Sequence, residues 1–115
     1  MKTAFILCLL SLCLSSTSHG QEGKMFTVDK DLSSSMLNKI YQHRDGIIWI
    51  ATEDGLNRYD GAKFTVYRNE KSNPHSLLND YVRTLYEDKQ GRLFIGSLNG
   101  LQIYDRATAS FTTIP

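Results

Sequence analysis

The fold is decided by the stretch Gly46-Ile47-Ile48-Trp49-Ile50-Ala51-Thr52-Glu53-Asp54-Gly55-Leu56-Asn57-Arg58-Tyr59-Asp60, because the chain carries it twice. At an offset of 45 residues it returns as Gly91-Arg92-Leu93-Phe94-Ile95-Gly96-Ser97-Leu98-Asn99-Gly100-Leu101-Gln102-Ile103-Tyr104-Asp105. Working outward, 32–60 aligns with 77–105 without a gap. Eight positions are identical: Leu32/Leu77, Tyr41/Tyr86, Gly46/Gly91, Ile50/Ile95, Gly55/Gly100, Leu56/Leu101, Tyr59/Tyr104 and Asp60/Asp105. Ile40/Leu85, Ile48/Leu93, Trp49/Phe94, Thr52/Ser97 and Asp54/Asn99 are like for like. A period of this length, with an aromatic and paired turn glycines, marks one supersecondary unit copied in tandem.

Each copy divides into four short strand-like runs: 39–42, 47–51, 56–59 and 64–67 in the first, and 84–87, 92–96, 101–104 and 111–114 in the second. The separators are turn formers, among them Asp45-Gly46, Asp54-Gly55, Asp60-Gly61, Gln90-Gly91 and Asn99-Gly100. Asp-Gly and Asn-Gly supply the positive φ angles of tight hairpins. Only the third turn differs in length, by two residues, and loops tolerate such changes best. Ile48 and Ile50 share one face, as do Leu93 and Ile95, while Trp49 and Phe94 point the other way. Apolar side chains on both faces call for neighbours on both sides. Four antiparallel strands stacked radially on such neighbours make a propeller blade. The expected fold is therefore all-β: two four-stranded antiparallel blades of an incomplete β-propeller, repeat 1 over 32–76 and repeat 2 over 77–115.

The segment ahead of the repeats has its own logic. Lys2, then an apolar run of about 11 residues, then small residues Ser18 and Gly20 before Gln21, form a helical export signal over 1–20. The run is too short to span a bilayer, which takes about 20 residues; an uncleaved anchor is the alternative. Cys8 and Cys13 each follow a Leu, which fits a lipoprotein signal poorly. Cleavage removes both cysteines, so the mature chain has neither disulfide nor thiol chemistry. It also removes Lys2 and leaves twelve basic against twelve acidic residues, a balance that gives no bulk attraction for nucleic acid. No later segment is apolar enough to cross a membrane. Within 21–31, Met25-Phe26-Thr27-Val28 resembles the fourth-strand run Phe64-Thr65-Val66-Tyr67 and is placed to close a last blade that the chain does not contain.

The runs Ile40-Tyr41-Gln42, Asp45-Gly46, Ile48-Trp49-Ile50-Ala51-Thr52 and Asp54-Gly55-Leu56-Asn57-Arg58-Tyr59-Asp60, with their counterparts from Leu85 onward, resemble the two-component regulator propeller repeat. His43 stands in the first copy where that pattern has an acidic residue, Ala51 where it has Gly, and Phe94 where it has Trp. The resemblance implies the N-terminal periplasmic sensor part of a hybrid sensor histidine kinase in Gram-negative bacteria, detecting oligosaccharides. A membrane helix, a phosphoacceptor His, a receiver and a DNA-binding region would be expected further on. The implied location is periplasmic or secreted, and the implied role is a binding module rather than an enzyme. The implied partners are an oligosaccharide and further blades or other chains.

Two other readings stay open: a fragment of an exported propeller enzyme, lyase-like, and a structural fragment with no activity of its own. An aspartate-box glycosidase fits poorly, because Arg44 and Lys89 stand where the box needs Asp. His43 and His75 lie on different loops without zinc-ligand spacing, so no metal and no cofactor is expected. Trp49 fits packing between blades better than stacking on a sugar, since its counterpart is Phe94 at a strand position. Fold logic puts a ligand at the loops between blades and the turns between second and third strands, giving Asn73, Asp54, Asn99, Tyr81 and Arg83 as candidates. Tyr81 would stack on a sugar and Arg83 would hold a uronic acid carboxylate.

Overall fold

The computed structural model describes residues 31–115. The export signal at 1–20 and the closing strand expected around Met25-Phe26-Thr27-Val28 lie outside the described residues. The described chain is eight strands: β1 (Leu37–Gln42), β2 (Ile48–Thr52), β3 (Gly55–Tyr59), β4 (Phe64–Tyr67), β5 (Val82–Glu87), β6 (Leu93–Ser97), β7 (Gly100–Asp105) and β8 (Ser110–Thr113). They form two four-stranded antiparallel meanders, β1-β2-β3-β4 and β5-β6-β7-β8. The expected all-β fold of two blades is what these residues form.

The turns behave as their sequences require. Gly55 has φ +117, and a Cβ there would lie 2.8 Å from the Tyr67 carbonyl oxygen, so only glycine fits this tight β2–β3 turn. The Thr52 hydroxyl donates to the Gly55 carbonyl at 2.8 Å, and Ser97 repeats the bond to Gly100 at 3.4 Å. At the β1–β2 turn Gly46 N–H donates to the His43 carbonyl, and at the β5–β6 turn Gly91 N–H donates to the Asp88 carbonyl. The repeat thus reaches down to single hydrogen bonds.

One buried amide per blade holds the incoming chain. Asn57 Oδ1 accepts from Ser33 N–H at 3.1 Å, and Gln102 Oε1 accepts from Leu78 N–H at 2.8 Å. Asn57 and Gln102 are counterparts in the repeat, as are Ser33 and Leu78, and both amides are buried. Gln102 also donates to the Ser76 carbonyl at 3.1 Å. A Gln102→Leu chain would leave the buried Ser76 C=O unpaired, at about 1–3 kcal/mol, and would strip the half-buried Leu78 N–H of its partner at a smaller cost. We expect its urea midpoint to fall well below that of the unaltered chain; an unchanged midpoint would mean that water replaces the amide.

The core lies between the sheets. Trp49, Ala51 and Leu56 of the first sheet pack with Leu85, Leu93, Ile95 and Phe111 of the second, joined by Leu77 and Val82 at the crossing. Trp49 is 3% exposed and meets the Tyr104 ring edge-on at 4.7 Å. Tyr67 stacks on Trp49 at 6.2 Å and touches Phe111 edge-on at 5.3 Å. So the Trp49 face of blade one packs on the Leu93/Ile95 face of blade two. In blade two the matching Phe94 face is turned outward, leaving Tyr86 and Leu101 exposed.

Candidate functional site

The candidate ligand residues fall into three places. Asp54, Tyr81 and Asn99 stand at one end of the blade junction, on the β2–β3 turn, the end of the loop between blades and the β6–β7 turn respectively. Tyr81 OH donates to Glu53 Oε2 at 3.1 Å, Tyr81 N–H donates to Asn79 Oδ1 at 2.8 Å, and Asn79 Nδ2 donates to Asn99 Oδ1 at 2.8 Å. Asp54 is held fork-to-fork by Arg68, with Nε and Nη2 at 3.2 and 3.3 Å from its two oxygens. Gly55 N–H donates across to the Asp80 carbonyl, and Leu98 N–H to the Tyr81 carbonyl, so backbone bonds fix this end.

Asn73 is placed differently. Its side chain caps a turn in the loop between blades, accepting from His75 N–H at 2.9 Å, and its carbonyl accepts from the Ser76 hydroxyl at 2.8 Å. Arg83 is exposed and sits in the β5 irregularity between Val82 and Thr84. Its counterpart Asn38 occupies the same irregularity of β1, and there Nδ2 donates to the Val82 carbonyl of the next blade at 2.8 Å. The Asn38 position is thus a strut between blades. Among the described residues no group of three or more His, Cys, Asp or Glu is placed to hold a metal ion.

At the opposite end is a polar clamp that sequence reasoning missed. Glu87, at the end of β5, has a side chain only 5% exposed. It accepts from Tyr41 OH at 2.9 Å and Arg44 N–H at 3.1 Å, and it pairs with the Arg44 guanidinium. Arg44 Nη2 also donates to the Asp88 and Lys89 carbonyls, at 3.0 and 3.1 Å. His43 is buried beside it. Asp45 N–H donates to His43 Nδ1 at 3.2 Å, so Nε2 carries the proton and donates to the Gly91 carbonyl at 2.7 Å. The departure of His43 from the acidic pattern was the available signal. Its counterpart Asp88 caps its own turn, accepting from Gln90 and Arg92 N–H, whereas His43 reaches the next blade.

Burial works against charge on Glu87, but the hydrogen bonds from Tyr41 and Arg44 outweigh it and hold the carboxyl below the usual range. A lowered folded value gives stability that is full above the unfolded carboxylate value, about 4.3, and is lost as pH falls through the folded value. Glu87→Gln should therefore cost about 1.5 kcal/mol near neutrality, the low end for bonds to a charged group because Arg44 is largely exposed. The gap between variant and parent should close in acid. Urea titrations across pH check this; a gap of constant size would remove the role given to the Glu87 charge.

Comparison with known proteins follows the same repeat. The model of the two-component regulator propeller family matches residues 31–54 and again 76–99. A histidine kinase, P4, from Formosa agariphila is 33% identical over 75 residues, which are 65% of this chain and 6% of the kinase. The extracellular domain assigned to the hybrid two-component system BT3049 of B. thetaiotaomicron superposes with a TM-score of 0.68 at 30% identity, over 78% of this chain and 13% of that one. The extracellular domain assigned to the one-component system BT4673 of the same organism shares the fold, with a TM-score of 0.64 at 23% identity over 76% of this chain and 13% of that one. The chain therefore spans a small fraction of the proteins it matches.

Proposed function

Because both tandem units of this chain are two-component regulator propeller repeats, we propose that it serves as part of the ligand-sensing propeller of a two-component system, outside the cytoplasm, with an oligosaccharide as ligand. The observation that carries the reading is the convergence of Glu53, Tyr81, Asn79 and Asn99 across the blade junction. An aromatic ring, a carboxylate and two amides at one rim are the groups that stack on sugar rings and pair with hydroxyls. The blades touch through this rim, so a ligand drawn to it would alter how they pack and pass that change to whatever packs on them. Export to the periplasm or beyond agrees with the extracellular domains among the similar structures. The role is binding, not catalysis.

The test is a screen of neutral and acidic oligosaccharides against the full chain by thermal shift. One class should stabilise it, and Tyr81→Ala should weaken that ligand about tenfold, the loss of one stacked ring. No stabilisation by any saccharide would overturn the reading.

A second role is favoured for one residue. The Asn38 strut predicts that Arg83 reaches the backbone of a following blade instead of a sugar. Arg83→Ala should then leave saccharide binding intact and weaken association with further blades. A loss of saccharide binding alone would return Arg83 to the ligand site.

A further inference from the structure

A groove of about 190 Å³ opens between the blades at the end away from Tyr81 and beside the Glu87 clamp. Its lining includes Trp49, Arg58, Arg92, Tyr104, Arg106 and Asp45. Three of these are arginines and one is a carboxylate. Asp45 is already committed: Arg106 Nη2 lies 3.1 Å from Oδ2, and Ile47 N–H donates to Oδ1 at 2.9 Å. Arg92 bonds through Nε to Asp88 Oδ2 at 2.6 Å and its guanidinium lies over the outward Phe94 ring at 5.6 Å, so it borders the groove without turning its charge into it. Arg58 makes no ion pair among the described residues; its guanidinium sits 6.0 Å from the Trp49 ring centre. A half-buried guanidinium over an aromatic ring is held in place while its donors remain open. The result is an excess of positive charge in a small, partly apolar cleft.

We propose that this groove is a binding site for a small oxyanion, a carboxylate or sulfate group, gripped by Arg58 and supported by Arg106. Planar guanidinium groups suit such oxygens in paired fashion. The size fits the argument. A water takes about 30 Å³ of liquid, so the groove holds one acidic group and part of what carries it, not a long chain. The site is separate from the rim around Tyr81 and stands or falls independently of it.

The chain reports on this site by itself, because Trp49 is its single tryptophan and lines the groove. The experiment takes the full chain at a concentration where circular dichroism shows it folded, titrates it with sodium sulfate, sodium acetate, sodium glucuronate and glucose at ionic strength held constant with chloride, and reads Trp49 fluorescence. Saturable change with the anions and none with glucose is the expected result. Glucuronate binding more tightly than acetate marks a saccharide as the carrier; equal binding marks a free anion, and either supports the site. Arg58→Gln should weaken binding about tenfold, the loss of a charge-assisted bond. Arg58→Lys should restore most of it, and Lys71→Ala, on a remote exposed loop, should change nothing. A response equal with glucose, no saturable response, an Arg58→Gln chain that binds as before, or emission of a solvent-exposed Trp49 overturns the proposal. Loss of the anion response in Arg58→Gln with saccharide stabilisation retained, or the reverse in Tyr81→Ala, separates this site from the rim.

Discussion

Trp49→Ala is expected to cost about 3–5 kcal/mol and to unfold the blade pair, while Phe94→Ala at the matching position is expected to cost below about 1 kcal/mol. The two residues are counterparts in the repeat, so local propensity and strand position are the same. Their surroundings differ. Trp49 fills the seam between blades, with Tyr67 stacked on it, Tyr104 edge-on and Arg58 over its ring. Phe94 lies on the outward face, tilted against an exposed Tyr86 at 6.2 Å and beneath Arg92 at 5.6 Å. Truncating the first empties a packed seam, and truncating the second trims a half-covered surface. Stability of a small domain is about 5–15 kcal/mol, so the first loss is close to the whole and the second is not. Circular dichroism in urea separates them. Equal costs at the two positions would mean that the Phe94 face is covered in solution.

That face carries the second large effect. Tyr86 at 63%, Leu98 at 52% and Leu101 at 41% are exposed on blade two, and Ile40 at 46% and Val66 at 38% on blade one. The second set stands on the sheet face opposite Trp49. One is built like the covered side of the seam and the other like its cover, so further blades, or other copies of the chain, can stack on them head to tail. Apolar sheet faces of this kind drive association. Residues 21–115 should therefore be weakly folded when dilute and should associate on concentration, with a melting temperature rising by about 4 °C per tenfold. Phe94→Glu should reduce that association sharply. Sedimentation and melting across a concentration series check both. A sharply melting monomer, unaffected by dilution, would contradict the reading of these faces as seams.

The repeat of 45 residues, the turn dipeptides and the alternation along each strand were enough to place eight strands in two meanders, because hairpin pairing is local and side-chain period fixes the faces. The same pattern assigned Trp49 to packing. Strand ends moved by one or two residues, as at Leu37 and Val82, where an irregularity at the blade start lengthens the strand. Of the candidate ligand residues, Tyr81 and Asn99 are linked through Asn79, whereas Asp54 pairs with Arg68, Asn73 caps a turn and Arg83 stands at a strut position, contacts that loop position alone does not encode.

What the chain wrote in its own order was the blade: strand, turn, strand, each settled by neighbours a few residues away. What only stacking decided was the seam. Glu87 meeting Tyr41 and Arg44, His43 meeting Gly91, and Arg58 lying over Trp49 beside Arg92 and Arg106 depend on how one sheet rotates and slides on the next. No periodicity encodes that offset, because equivalent residues in the two copies face different neighbours: one blade has a partner on its aromatic face, and the other presents that face bare.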